Sequence, residues 1–384
     1  MHLHIVSFNV PYPADYGGVI DVFYRIKTLY EAGVKVHLHC YTYGRAVALE
    51  LERYCVEVNY YKRETTLKHA LQRRPYIVDS RCSNELLERL MDDNYPILLE
   101  GIHCCWLLEQ LRQKRTPFAD EQKHRIIMVR AHNVEHEYYQ RLAAVEKRFL
   151  RRCYLKNDAR KLQRYEPILQ EADAVLAVTE ADAEHFRQLG CKQVLLMPSS
   201  HHHNTLQCKI GKGDYALYQA DLSVAENIAA VKFLITHVFA KTPYRFVIAG
   251  RNPGKALYQM ASKYERVTLV ANPTDEYMDR MIADAQVNIM VTQQPTGLKL
   301  KLLHALYCGR HCLVNQHMVA GTKLGPLCSI ADDADHLIEQ LKKLMTTDFT
   351  EQDISKRRQI LANSYSNENN ARKLIDLVTH LTHN

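Results

Sequence analysis

Short apolar segments alternate with helical segments along this chain, and the alternation runs through both halves of its 384 residues. Strands separated by helices predict a parallel sheet covered by helices on both faces. The fold class expected is therefore α/β, with two doubly wound, Rossmann-like domains facing a central cleft. The predicted strands are Leu3–Val10, Val34–Tyr41, Ile97–Leu99, Ile126–Val129, Ala174–Val178, Val194–Met197, Tyr215–Tyr218, Tyr244–Ala249, Val267–Val270, Val287–Val291 and Cys312–Asn315.

A break in this alternation predicts the domain boundaries. The segment from Pro198 to Gly213, which contains His201, His202 and His203, is interpreted as a solvated linker. The boundaries predicted are an N-terminal domain (1–198), a linker (199–213), a C-terminal domain (214–365) and a final helix (366–384) that we expect to pack back on the N-terminal domain.

Composition restricts the class of protein. Hydrophobic residues make up 47% and charged residues 24%, which is typical of a soluble globular protein. The sequence contains no apolar stretch of about 18 residues and begins without the features of a signal peptide. Eleven cysteines without a CxxC pair favour reduced thiols, so we expect a cytoplasmic protein. The net charge of +7 favours anionic partners, but the cations are not interleaved with aromatics as nucleic-acid binding would require.

The segment from Thr296 to Gly309 follows a predicted buried strand and has helical spacing of its leucines. Lys299 and Lys301 fall in its first turn, where the helix dipole disfavours cations. Lysines at this position indicate a bound anion, and phosphate is the usual one. The alternative is an ordinary amphipathic helix with two solvated lysines.

Three further loops follow predicted strands. Gly17 and Gly18 lie between the first strand and the first helix, where they permit close approach of a ligand or form a flexible turn. His132 lies in a polar segment and is a candidate base or ligand contact, or else a cap of the next helix. Arg251 is a candidate diphosphate ligand, although surface arginines are common.

Nine lysines and arginines lie between Arg141 and Arg164, against Glu146 and Asp158. This basic stretch predicts contact with a membrane surface or an anionic acceptor. A solvated helix face is the alternative.

Taken in order along the chain, these segments resemble the retaining GT-B glycosyltransferases of family 4, and the resemblance spans nearly the whole sequence. The matching segments are Tyr16-Gly-Gly18, Glu31-Ala-Gly-Val-Lys-Val-His37, Arg130-Ala-His-Asn-Val-Glu135, Tyr165-Glu166 with Ala172–Asp182, Asp221–Asn227, and Thr296–Leu306 with Gly309, Val314 and Ala320-Gly321.

The resemblance implies retaining transfer of a hexose, mannose being one candidate, from GDP- or UDP-hexose to a glycan or lipid-linked acceptor in bacterial surface polysaccharide synthesis. No cofactor and no metal is expected, because no clear Asp-x-Asp motif lies in a matching loop. His132 and Lys301 are the implied catalytic residues. The implied donor-binding residues are Gly17, Gly18, Arg251, Thr296, Gly297, Lys299, Lys301 and His304. The implied acceptor-binding residues are Asp21, Glu100, His103 and Arg130.

Two positions depart from the family. Thr296 and His304 stand where most members have glutamates. The second of those glutamates accepts hydrogen bonds from the nucleotide ribose, and a neutral imidazole can accept only one. His304 therefore leaves open one alternative to a transferase, a non-catalytic nucleotide- or glycan-binding protein. A GT-B sugar-nucleotide epimerase is a second alternative, which would turn over the donor without an acceptor.

Overall fold

The computed structural model describes residues 1–113, 124–294 and 297–383. The chain divides into two compact units, Met1–His202 with Tyr365–Asn384, and His203–Ser364. Each unit contains one parallel sheet with helices, so the α/β class predicted from the alternation is confirmed.

The first unit is built on a seven-stranded parallel sheet with the order β3-β2-β1-β4-β5-β6-β7. Its strands are β1 (His2–Ser7), β2 (Lys35–Thr42), β3 (Glu57–Lys62), β4 (Ile97–Glu100), β5 (Ile127–Ala131), β6 (Ala174–Ala177) and β7 (Val194–Leu196). Its helices are α1 (Gly17–Glu31), α2 (Leu67–Leu71), α3 (Tyr76–Asp79), α4 (Asn84–Leu90), α5 (Trp106–Gln113), α6 (Glu135–Val145), α7 (Phe149–Tyr165) and α8 (Glu180–Gln188).

The second unit has a six-stranded parallel sheet with the order β10-β9-β8-β11-β12-β13. The strands are β8 (Tyr215–Asp221), β9 (Arg245–Arg251), β10 (Val267–Ala271), β11 (Val287–Met290), β12 (His311–Val314) and β13 (Ser329–Ile330). The helices are α9 (Ala225–Phe233), α10 (Lys255–Ala261), α11 (Asp275–Asp284), α12 (Leu300–Cys308), α13 (Gln316–Val319), α14 (Ala334–Thr346) and α15 (Glu351–Tyr365). The last helix, α16 (Asn367–His383), belongs to the first unit.

Burial of apolar side chains explains why α16 belongs to the first unit. Leu374 and Leu377 are buried in the same hydrophobic cluster as Ile5 of β1 and Val22 and Ile26 of α1. Removing this apolar surface from water stabilises the contact. The end of the chain is thereby fixed against α1, which also lies at the candidate site described below.

The elements β3, α13, β13 and α15 were not predicted. The edge strand β3 carries polar residues and is mostly half-buried, and β13 has only two residues, so neither gives a clear apolar pattern. The prediction of a solvated linker was wrong for two of its histidines. His201 and His203 are buried, and His201 Nε2 lies 2.9 Å from the carbonyl oxygen of Tyr365.

Four histidines lie on one face of β1 and β2, because the parallel register aligns His4 with His37 and strand side chains alternate between faces. Ring nitrogens of His2 and His37 are 2.8 Å apart, and those of His4 and His39 are 2.9 Å apart. Burial lowers the pKa of His4 to about 4, an effect that Asp93 partly opposes. Burial and His4 lower the pKa of His39 to about 3.

These two pKa values predict a pH dependence of stability. Below the ordinary histidine pKa of about 6.5, the unfolded chain takes up protons that the folded chain does not, so folding should weaken as the pH falls from about 6.5 towards 4. Each buried neutral histidine should contribute about 1.4 kcal/mol per pH unit to the slope. The free energy of unfolding, measured by chemical denaturation between pH 7 and pH 5, should depend less steeply on pH in His39→Gln than in the natural protein. His336→Gln, an exposed histidine, should keep the slope of the natural protein. Equal slopes for all three proteins would contradict burial of a neutral His39.

Candidate functional site

Four charged side chains of the first unit meet at the carboxyl edge of its sheet. Asp21 and Arg25 come from α1, Glu100 ends β4, and Arg130 is in β5. Asp21, Glu100 and Arg130 have no exposed surface, and Arg25 is almost as deeply buried. Two carboxylates and two guanidinium groups therefore balance in formal charge within the core, which is how proteins keep ions buried.

The pairing within this buried ion network is extensive. Arg130 Nε and Nη2 each donate to Asp21 Oδ2 at 3.0 Å. Arg25 is paired with Asp21 at 2.5 Å and with Glu100. The backbone N–H of Ser200 donates to the other oxygen of Asp21 at 2.7 Å. The network thus joins α1, β4, β5 and the segment that follows β7.

Burial alone would raise the pKa of both carboxyl groups, but the neighbouring cations outweigh it. Arg130 and Arg25 lower the pKa of Asp21 far below its usual range. Arg25 and the hydrogen bond from His132 lower the pKa of Glu100. Both groups are therefore carboxylates at neutral pH.

His132 follows β5 and points its ring at this network. Its Nε2 lies 3.0 Å from Glu100 Oε2, and its Nδ1 lies 3.4 Å from Asp21 Oδ2. Its side chain is 11% exposed. The ring does not cap α6, since among the described residues no side chain caps that helix and Val134 is its N-cap. Both ring nitrogens face carboxylates, so the network fixes the orientation of the imidazole.

Phe8 packs against His132, with their ring centroids 5.5 Å apart in an edge-to-face arrangement, and against His103 at 5.2 Å. A Cβ at Gly18 would lie 2.8 Å from Phe8 Cζ, so a side chain there would displace the phenyl ring. Gly18 therefore has a packing role in addition to any backbone contact with a ligand.

Burial, together with Arg81, lowers the pKa of His103, the other ring beside Phe8, well below its usual value.

These positions change the interpretation of the predicted acceptor site. Asp21, Glu100 and Arg130 were expected to contact an acceptor, but side chains without exposed surface and with bonds to one another offer nothing for an acceptor to touch. We interpret them as residues that position His132. Asp21, Glu100 and His132 also present ligand atoms close enough for a metal ion. Arg25 and Arg130 already supply positive charge there, which disfavours an added cation.

In the second unit, Lys301 lies in the first turn of α12, which has no acidic residue there among the described residues. Its Nζ lies 3.5 Å from Asn227 Oδ1 and 5.3 Å from the centroid of the Tyr218 ring. Burial lowers the pKa of Lys301 to about 8, and the Glu226 carboxylate partly opposes this shift. Lys301 is thus a partly desolvated cation at the start of a helix.

The loop after β11 is fixed by side chains that the sequence did not indicate. Glu226 accepts from the Thr292 hydroxyl at 2.5 Å and from the Gln293 N–H at 2.9 Å. Asn315 accepts from the Thr292 N–H and donates to its carbonyl oxygen. The approach to α12 is therefore anchored to α9 and to the end of β12.

The other predicted donor residues are placed as follows. Gly297 has a left-handed φ of 69°, and Lys299 is the N-cap of α12 with its Nζ 3.0 Å from the Gly297 carbonyl oxygen. Arg251 ends β9, is half exposed, and lies 3.7 Å from Asp275. His304 Nε2 is 2.7 Å from Asp279 Oδ1 on α11. Thr296 lies outside the described residues. At the start of α1, Gly17 is exposed.

Comparison with known proteins identifies the fold. No family model matches the chain, and no curated protein sequence matches it. Among solved structures, the apo lipopolysaccharide outer core galactosyltransferase WaaB is 14% identical with a TM-score of 0.63, covering 97% of this chain and 99% of WaaB. Anabaena HepE in complex with UDP is 12% identical with a TM-score of 0.64, covering 99% and 100%. The catalytic domain of starch synthase IV from Arabidopsis thaliana bound to ADP and acarbose is 10% identical with a TM-score of 0.62, covering 100% and 99%. The chain has the GT-B fold.

Because the buried ion network balances in charge, removing one member should be costly. Asp21→Asn would leave Arg130 and Arg25 with one carboxylate between them, and breaking a buried pair of this kind costs about 3–5 kcal/mol. We expect that loss in urea denaturation at pH 7. Asp15→Asn, which removes an exposed partner of Arg45 near the same helix, should cost less than about 1 kcal/mol. A loss of similar size in both variants would contradict the role assigned to Asp21.

Proposed function

We propose that this protein is a glycosyltransferase that moves a hexose from a nucleotide diphosphate donor to a hydroxyl acceptor. Lys301 is the observation that carries the proposal. It is a half-buried cation in the first helical turn after β11, where ligands of parallel α/β sheets bind. The similarity in fold to WaaB, whose name describes a galactosyltransferase, and to HepE, whose structure contains UDP, supports the same assignment.

The chemistry requires stabilisation of a leaving group. When the bond between the anomeric carbon and the diphosphate breaks, the electron pair stays on the phosphate oxygen and negative charge grows there. A fixed cation at that oxygen stabilises the transition state more than the ground state. We assign this role to Lys301, with Lys299 and Arg251 as further ligands of the diphosphate. Such a clamp can act without a metal.

In the first unit, we assign acceptor binding to the carboxyl edge of the sheet and contact with the donor sugar to His132. The carboxylates of Glu100 and Asp21 hold its ring in place, so these two act through His132 and not on the substrate. Retention of configuration, a GDP- or UDP-hexose donor with mannose as one candidate, and a glycan or lipid-linked acceptor of bacterial surface polysaccharide complete the proposal.

Nucleotide binding tests this assignment. A nucleoside diphosphate at 100 times its dissociation constant should stabilise the protein by about 2.7 kcal/mol, which raises the melting temperature by several degrees. Thermal shift should be measured with UDP, GDP, ADP, dTDP and CMP. We expect one diphosphate to stabilise the natural protein, and stabilisation to weaken above about pH 8 as Lys301 loses its proton.

Lys301→Ala should abolish that shift and lower transfer about a hundredfold or more, the cost of a lost oxyanion-type contact. Lys342→Ala supplies the control, because Lys342 is an exposed lysine near the end of α14. Wild-type nucleotide binding and turnover in Lys301→Ala would remove Lys301 from the site.

The departure from the family pattern at position 304 is the reason for a second candidate, a non-catalytic nucleotide- or glycan-binding protein. Replacing it with glutamate alone would place a second carboxylate beside Asp279, so the informative variant is His304→Glu with Asp279→Asn. A large gain in transfer by the double variant would show that the natural protein is impaired. Unchanged or lower transfer would indicate that the natural protein, with His304 and Asp279, is a fully active enzyme.

We also propose peripheral contact with an anionic membrane surface at the turn between α6 and α7. Val145, Phe149 and Leu150 are 76%, 66% and 82% exposed there. Lys147, Arg148, Arg151 and Arg152 surround them and are exposed. Apolar side chains among cations are typical of interfacial segments, and each cation near an anionic surface contributes about 1 kcal/mol. None of the described helices combines the length and apolar character that a membrane crossing needs.

Liposome sedimentation tests this membrane contact. The protein should bind vesicles containing phosphatidylglycerol, bind phosphatidylcholine vesicles weakly, and dissociate at high salt. Reversing Arg148, Arg151 and Arg152 to glutamate should lower the binding to anionic vesicles roughly a hundredfold, since three contributions of about 1 kcal/mol are lost. Reversing Lys342, Lys343 and Lys356 in the second unit gives a matched change of net charge. Equal binding by both triple variants would exclude the α6–α7 turn as the contact.

A further inference from the structure

A second cluster of histidine and carboxylate side chains lies in the first unit, apart from the buried ion network. His136 is in the first turn of α6, Glu166 directly follows α7, and His185 is in α8. His136 Nδ1 is 3.1 Å from Glu166 Oε1, and His185 Nε2 is 2.9 Å from Glu166 Oε2. We call these three residues the His-Glu-His cluster.

We propose that the His-Glu-His cluster binds a divalent metal ion of the Zn²⁺ type. Two imidazole nitrogens and one carboxylate are a ligand set that zinc uses in proteins. One ligand atom from each residue lies within 4.8 Å of the others. Ligands of a tetrahedral zinc with bonds of about 2.0–2.1 Å are about 3.3 Å apart, so small side-chain shifts would close the site around an ion.

The surroundings of the cluster suit a bound ion. The side chains of His136 and Glu166 are 9% and 6% exposed, whereas that of His185 is 29% exposed and leaves a route from solvent. A small cavity beside Glu166 is lined also by His132, Asn133 and Phe186, and it lies between the cluster and the loop that carries His132. Unlike Asp21 and Glu100, Glu166 has histidines and no arginine as its hydrogen-bonding partners among the described residues.

Placement of the ligands indicates what the ion would do. The three ligands come from three separate helical segments. One ion would therefore link the first turn of α6, the turn after α7, and α8. His136 lies four residues after His132 along the chain, so the link would hold the loop that carries His132. The ion would act on structure, and sugar transfer as proposed above does not depend on it.

Zinc binding tests the proposal on the full-length protein. After removal of metals with a chelator, the protein would be dialysed against Zn²⁺ and its bound zinc measured. His185→Gln should bind one equivalent fewer than the natural protein, with an affinity for that site at least about a hundredfold weaker. His69→Gln is the matched control, because it also removes a histidine–carboxylate pair, with Asp79. It should bind as much zinc as the natural protein.

Co²⁺ in place of zinc adds a spectroscopic readout of the ligand set. The natural protein should show the visible absorption of tetrahedral Co²⁺ without a thiolate-to-cobalt band, and His185→Gln should lose it. Should His185→Gln not fold, Glu166→Gln is a second variant, because glutamine has nearly the size of glutamate. It should also bind one equivalent of zinc fewer than the natural protein. Retention of all bound zinc and of the cobalt spectrum in the folded variant would overturn the proposal.

Discussion

The first unit depends on the pairing of Asp21 with Arg25 and Arg130. Each of these ions would cost several kcal/mol to bury alone, and the cost is offset only because the charges and hydrogen bonds are complementary. Asp21 also accepts the N–H of Ser200, so one carboxylate joins α1, β5 and the chain beyond β7. A side chain that satisfies so many partners cannot move without unpairing a charge in the core. The orientation of His132 follows from this rigidity.

The second unit uses a different device at the equivalent edge of its sheet. Lys301 in that unit is half-buried, and the carboxylate of Glu226 already accepts from the Thr292 hydroxyl and the Gln293 N–H. Glu226 therefore shapes the loop and only partly neutralises Lys301. Among the described residues, no carboxylate forms an ion pair with Lys301, whereas Arg25 and Arg130 of the first unit are paired with Asp21 and Glu100. The two edges are suited to different tasks for this reason.

The alternation of strands and helices was sufficient to predict the α/β class, because buried parallel strands have apolar sequences that are easily recognised. The edge strand β3 was not predicted, because an edge strand can be polar and then lacks a clear apolar pattern. The contacts among the site residues were harder to predict from the sequence. Asp21 and Arg25 have the helical spacing of an ion pair, and Arg130 interrupts a buried strand, but the sequence does not say that these meet each other instead of a ligand. The contact between Asp21 and Arg130 joins positions 109 residues apart. The catalytic and binding roles assigned to the site residues stay predictions.

His304 shows how a departure from a family pattern can be misjudged from sequence. Its Nε2 faces an oxygen of Asp279, which can only accept, so Nε2 carries the hydrogen. In the neutral ring, Nδ1 is then the acceptor atom, whereas a glutamate side chain carries two acceptor oxygens. Where a glutamate would place a carboxylate at position 304, this chain has an imidazole with the carboxylate of Asp279 next to it. A change of this kind alters the geometry at position 304 without removing its polarity. The histidine is therefore better explained as one half of a pair with Asp279 than as the remnant of a lost site.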